Sequence, residues 1–153
     1  MQVRRAFPQE AAELSALIFA SKQSNGYDDA FMALCVDELR VTAQDIRDQM
    51  IWVAADETLL GCVTLDPAQG VGTGAISSFF IDPAHQRKGV GRTLWARVLQ
   101  EAQALHLTKL TLDADPEAVS FYEAMGFAVT GQRPSGSIAG RMLPLMELDL
   151  RNL

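Results

Sequence analysis

The residues whose types and spacing point most directly to chemistry lie between Ile81 and Arg92, reading Ile-Asp-Pro-Ala-His-Gln-Arg-Lys-Gly-Val-Gly-Arg. An apolar strand stops at Pro83, bends through a basic loop that holds Gly89 and Gly91, and enters a helix. Glycine lets a backbone bend and approach a ligand without a Cβ clash, and the first turn of a helix leaves N–H groups with no intrahelical partner. The helix dipole adds partial positive charge at the same place, so the layout suits an anionic phosphate. Arg87, Lys88 and Arg92 supply a local basic patch.

Two common nucleotide motifs fail here on their residues. A Walker loop needs Gly-x-x-x-x-Gly-Lys-Ser/Thr, and Gly89-Val90-Gly91-Arg92-Thr93 has neither the gap nor the lysine. A dinucleotide fingerprint needs a third glycine where this chain has Leu94. The other glycine run, Gly70-Val71-Gly72-Thr73-Gly74, leads into a strand and not from a strand into a helix, so it reads as a flexible turn.

The pattern that remains, Gln86-x-x-Gly89-x-Gly91, resembles the pyrophosphate loop of the GNAT superfamily of acetyl-CoA-dependent N-acetyltransferases. Farther on, Asp115 to Phe127 resembles that family's later signature, a helix carrying Phe121-Tyr122 and closed by Gly126-Phe127. The likeness is clear over residues 51 to 149 and one of layout only over residues 1 to 50. It implies a single α/β (α+β) domain over residues 1 to 153, with a central mixed, mostly antiparallel sheet of six to seven strands. Helices flank that sheet, and its fourth and fifth strands splay apart. The implied co-substrate is acetyl-CoA, with no metal. By the same resemblance the backbone of Phe79, Phe80 and Ile81 meets the pantetheine amides, and Gln86, Arg87, Lys88, Gly89, Val90, Gly91 and Arg92 cradle the pyrophosphate. Tyr122 matches the tyrosine that protonates the departing thiolate. A phenol with an ordinary pKa of about 10 can do so at neutral pH.

The chain departs from the family pattern in two places. Many relatives carry Asn at the position of Asp115, which joins the coenzyme-binding set here but also suits an ordinary helix N-cap. Some relatives place a glutamate general base where this chain has Leu110. Asp113, Asp66, Asp82 and His85 are the candidate bases, each with an alternative account as a turn or surface residue, and proton loss through ordered water or bulk solvent is an equal contender. The resemblance implies direct acetyl transfer to a primary amine of a small molecule within a ternary complex. Protein or peptide N-acetylation, and an acyl-CoA sensor that has lost turnover, are the alternatives. For the acceptor, Asp28 and Asp29 could attract a cationic amine, and Arg133 or Arg141 could hold a carboxylate.

Composition sets the outer bounds. A chain of 153 residues with 48% hydrophobic and 21% charged residues can bury a substantial core. It has no apolar run long enough to span a bilayer and no apolar stretch at its start, which makes the cytoplasm the expected location. A net charge of −6 is unfavourable for nucleic acid, whose binding needs phosphates neutralised by Lys and Arg. Cys35 and Cys62 have no histidine at ligand spacing, so they are expected as free buried thiols.

The elements that must position these groups follow from periodicity and turn residues. Gln2 to Ala6 reads as a strand, Pro8 starts a helix with Leu14, Leu17 and Ile18 on one face, and Asn25-Gly26 ends it. Asp28 caps a second helix and Thr42 to Asp45 starts a third. Ile51 to Ala55 and Leu59 to Leu65 form a hairpin, followed by a strand over Ala75 to Ile81. A helix with Leu94, Val98, Ala102 and Leu105 facing inward runs to about Leu105, with Trp95 and Trp52 in the core and His106 at its C-terminal end. Leu107 to Leu112, Phe127 to Thr130 and Met142 to Leu150 are the last strands, and Gly131 to Gly140 is a loop by its Gly, Pro and Ser content. Pro144 suits an edge or a bulge, and an apolar exposed face on this last strand could support a homodimer.

Overall fold

The computed structural model describes residues 1–153 apart from the Asn152 side chain. Strand β1 (Gln2–Arg5) is followed by helices α1 (Ala11–Gln23), α2 (Asp29–Leu39) and α3 (Ala43–Asp48). Strands β2 (Met50–Ala55), β3 (Leu59–Asp66) and β4 (Thr73–Ile81) lead into helix α4 (Val90–Ala104) and strand β5 (Lys109–Asp113). Helix α5 (Val119–Ala124) precedes strands β6 (Ala128–Pro134) and β7 (Met142–Asp149). The strands form one sheet in the order β1-β2-β3-β4-β5-β7-β6, antiparallel everywhere except between β4 and β5.

Both faces of the sheet are covered. Leu14, Leu17, Ile18 and Ile46 from α1 and α3 pack with Ile51, Val53 and Cys62 on one side. On the other, Val90, Leu94, Val98 and Ala102 recur at helical spacing along α4 and bury against Trp52, Val63, Leu110 and Met146. Tyr122 from α5 joins that second layer. Strands β2 and β3, covered on both faces, accordingly read as continuous apolar runs, not as alternating ones.

The feature that matters most for function is how little β4 and β5 pair. They meet only over Thr73↔Lys109, Gly74↔Leu110 and Ala75↔Thr111. Beyond Ala75 a bulge interrupts β4, where Thr64 pairs with Ser78 but Leu65 pairs with Ile76. Extra residues in a bulge bend and twist their strand, and here β4 swings away from β5 and leaves an open gap.

The structure moves several expected boundaries. Strand β6 runs through Pro134, and only the turn after it remains of the predicted loop. Pairing of Gly131, Gln132 and Arg133 with Leu145, Pro144 and Leu143 overrides the local loop composition. Strand β4 begins at Thr73 and includes Gly74, while Leu107 packs against the core ahead of β5. Trp95 is half-buried at the rim of the core, tilted against Phe127 at 5.8 Å.

Pro144 sits in an interior strand, since β7 runs between β5 and β6. Its carbonyl accepts from the Ala114 N–H just past the end of β5, so its missing N–H falls where that ladder has run out. The edge strand at this end of the sheet is β6.

Candidate active site

The residues expected to meet the coenzyme and the leaving sulfur converge on one cleft of about 1560 Å³. Phe79, Phe80, Ile81, every residue from Gln86 to Arg92, Asp115 and Tyr122 line it. Its floor is the free side of β4. The Asp82 N–H donates to the Leu60 carbonyl, and antiparallel bonding alternates. Phe80 and Ser78 therefore bond back to β3, while the N–H and C=O groups of Phe79 and Ile81 point into the gap. Of the three residues expected to offer backbone to an extended ligand, two are oriented to do so.

The loop after β4 is shaped for an anion. The Asp82 carboxylate accepts from the Ala84 N–H to start a short 3-10 turn over Pro83–His85, after which Arg87 adopts φ 64° and Gly89 φ 80°. Left-handed backbone at Gly89 turns the chain into α4 with no side chain capping the helix. The N–H groups of Val90, Gly91 and Arg92 precede the first intrahelical bond, which runs from Thr93 to Gly89. A Cβ built on Gly89 meets nothing within 4 Å, so the cradle stands open. These donors, with exposed Arg87, Lys88 and Arg92 around them, fit a pyrophosphate.

At the other end, Tyr122 is 8% exposed, with edge-on contacts to Phe79, Phe121 and Phe127. Burial, reinforced by the charge of Asp115, raises its phenol far above the ordinary tyrosine range, so the group stays protonated. Asp115 caps the 3-10 turn that leads into α5, accepting from the Glu117 N–H at 2.9 Å. It also takes hydrogen bonds from Tyr27 at 2.7 Å and Lys22 at 3.0 Å. Burial opposes its ionisation, but these bonds together outweigh it and hold the carboxyl below the usual range. Arg141 donates to the Tyr27 hydroxyl at 2.7 Å, which ties the turn after β6 to the α1–α2 connection.

A family model described as an acetyltransferase (GNAT) domain matches residues 17–146. The chain belongs to the GNAT acetyltransferase family. As a GNAT protein it is an acyltransferase, and its fold is shared with the PaiA N-acetyltransferase of Thermoplasma acidophilum, crystallised with coenzyme A. That structure superposes with a TM-score of 0.77 at 17% identity over 97% of this chain and 98% of the other. Among curated proteins, it is 28% identical to an L-methionine sulfoximine/L-methionine sulfone acetyltransferase of Salmonella typhimurium over 127 residues, 70% of this chain and 74% of the relative. It is also 29% identical to the peptidyl-lysine N-acetyltransferase YjaB of Escherichia coli, over 97% of this chain and 95% of the relative.

In this GNAT protein the candidate bases lie at different points of the site. Asp66 and Asp113 line the cleft, but the Asp66 oxygens accept from the Ala68 N–H and the Gln69 amide, and Asp113 faces Arg133 at 3.4 Å. Asp82 caps the Pro83–His85 turn ahead of α4, with His85 Nδ1 at 3.5 Å from its carboxylate. Asp28 accepts from the Phe31 N–H as a helix cap, and Asp29 accepts from Gln23; both are exposed and lie off the cleft wall. The buried Cys35 and Cys62 are free, and burial pushes the Cys62 thiol up to about 12, so it stays neutral.

Sequence reasoning missed Lys22. A signal was available, because Lys22 follows Ile18 by one helical turn and so continues the inward face of α1 as a charged residue at an inward position.

Proposed function

We propose that this GNAT enzyme moves an acetyl group from acetyl-CoA to a primary amine of a small molecule, directly, with both substrates held in one cleft. The observation that carries this reading is the continuity of the cleft. It runs from the α4 cradle along the open side of β4 to Tyr122, then on to a polar wall built from α1, α2 and the turn after β6. Acetyl-CoA supplies an already activated thioester. The protein's task is therefore alignment and proton handling. Free N–H and C=O groups of Phe79 and Ile81 hold an extended pantetheine arm as an added strand would be held. The ammonium first loses one proton to water in the open cleft; the neutral nitrogen then forms the new bond to the acetyl carbon as the carbon–sulfur bond breaks, and Tyr122 passes its phenolic proton to the leaving sulfur. The second proton shed by the nitrogen returns through water to the Tyr122 phenolate, which restores the phenol.

A small acceptor is favoured over a peptide by the turn after β6. The Ser137 hydroxyl meets the Glu38 carboxylate of α2, so this turn bridges the acceptor end of the cleft where a peptide would need an open groove. The Salmonella typhimurium relative, named for acetylating a methionine derivative, fits the same reading.

Calorimetric titration with acetyl-CoA, alongside a Gly89→Glu variant, tests it. The variant places a carboxylate in the cradle at a backbone geometry that side chains rarely adopt. Binding by the wild type and its loss in the folded variant are expected, followed by acetylation of one or more amines. A folded wild type that binds neither acetyl-CoA nor CoA would overturn the proposal.

A further inference from the structure

The acceptor wall holds a cluster of charges that is not balanced. Lys22, Asp115 and Arg141 are only 15%, 15% and 18% exposed at their side chains. Lys22 stands 3.0 Å and Arg141 3.9 Å from the two oxygens of Asp115. Two cations thus share one carboxylate, which leaves positive charge on the wall of a cleft in a protein whose net charge is −6.

Their donors are largely unspent. A guanidinium has five N–H donors and an ammonium three. Among the described residues, Arg141 donates one to Tyr27 and Lys22 one to Asp115. An aromatic pair helps hold both cations in place. Tyr27 and Phe31 stack at 4.1 Å, with Arg141 5.3 and 5.0 Å and Lys22 5.3 and 5.9 Å from their ring centres. Such contacts fix a cation without consuming its hydrogen-bond donors. Partly desolvated donors facing a cleft are best satisfied by an anion, and a planar guanidinium matches a carboxylate. The other arginine of this region, Arg133, is exposed and faces Asp113, so it has less to offer.

We propose that Lys22 and Arg141 form a subsite for a carboxylate on the acceptor, so that the substrates are amino acids and not simple alkylamines or lysyl peptides. This rests on the acetyltransferase reading above. Asp115 holds the two cations together while neutralising only one of them. Because Asp115 also caps the turn leading into α5, the subsite and Tyr122 share one scaffold.

The test compares acetylation of L-amino acids with that of their primary amides, their decarboxylated amines and a lysyl peptide. The wild type is expected to favour the acids by at least about tenfold in kcat/KM. Arg141→Gln should raise KM for the acids by about 10- to 100-fold, the range for losing a charge-assisted bond, with KM for the amides unchanged within about threefold. Lys22→Met should shift selectivity the same way, which guards against one variant failing to fold. Equal losses for acids and amides would mark the cluster as purely structural and overturn the proposal. So would wild-type turnover of amides or peptides that matches or exceeds that of the acids, or preference for an aminophosphonate over its carboxylate analogue. A protein that binds acetyl-CoA but acetylates no amine of any class would instead sink the acetyltransferase reading, and the subsite with it.

Discussion

Tyr122 illustrates how much a single side chain owes to its surroundings. Its ring is buried among Phe79, Phe121 and Phe127, and burial first, then the nearby Asp115 charge, keeps the phenol protonated. Proton donation to a leaving group typically contributes about 10²-fold or more. Tyr122→Phe is therefore expected to lower kcat by about 10²-fold while leaving the calorimetric affinity for acetyl-CoA unchanged. The sign of the pH dependence follows from the raised pKa. A phenol displaced upward loses no proton on approaching its ordinary value of about 10, so the wild-type kcat should show no tyrosine-dependent decline below that pH. An alkaline decline in the wild type that disappears in Tyr122→Phe would contradict this assignment. Asp115 shows a residue with two legible meanings. Its place before Pro116 announces a cap, which it is, while its bonds to Tyr27 and Lys22 were invisible because they join segments 88 and 93 residues apart.

Among the elements, the short β4–β5 ladder governs the site. A parallel pair normally satisfies backbone groups along its length, but after Ala75 the bulged β4 leaves the inward amides of Phe79 and Ile81 without a strand beside them. Hydrogen exchange should show these two amides exchanging faster than those of Ser78 and Phe80, which bond to β3, and slowing on addition of acetyl-CoA. Equal protection of all four amides in the free protein would refute the orientation argued here. Helix α4 was readable from its glycines and its Leu94, Val98 and Ala102 stripe; Leu105, expected to face inward, lies just past the helix end and is exposed, and Val90 extends the buried stripe at the other end. Strand β6 was readable only as far as Thr130, because the Gly and Pro content from Gly131 to Pro134 signals a turn and only the partner strand β7 makes that part extended.

For the molecule as a whole, charge is distributed against its average. The chain carries −6 overall, yet Arg87, Lys88 and Arg92 gather at the start of α4, where it lines the cleft. These three side chains are exposed, so their attraction for a polyanion is open to screening. Going from about 0.1 to about 1 M salt shortens the screening length from about 10 to about 3 Å, and acetyl-CoA affinity should weaken several-fold over that range. Calorimetry at both salt concentrations checks it. An affinity independent of salt would mean that backbone N–H groups and pantetheine contacts carry the binding without the side-chain charges.

The loop geometry of the proposed coenzyme half was legible in the sequence because it is local. A strand, a proline, two glycines and a helix follow one another within a few residues, and their backbone preferences dictate where the N–H groups point without help from the rest of the chain. The helix with Tyr122 is local in the same sense. The acceptor half is not: Lys22, Tyr27, Asp115 and Arg141 belong to four separate segments, and nothing in the spacing of any one of them announces the others. The layers of sheet and helix bring them together, because covering both faces of one sheet places α1, the start of α5 and the turn after β6 around the same opening. The gap between β4 and β5 likewise needs a bulge whose position depends on the register with β3. Local sequence thus decided the shape and the free N–H groups of the loop ahead of α4, and long-range packing decided what lies opposite it.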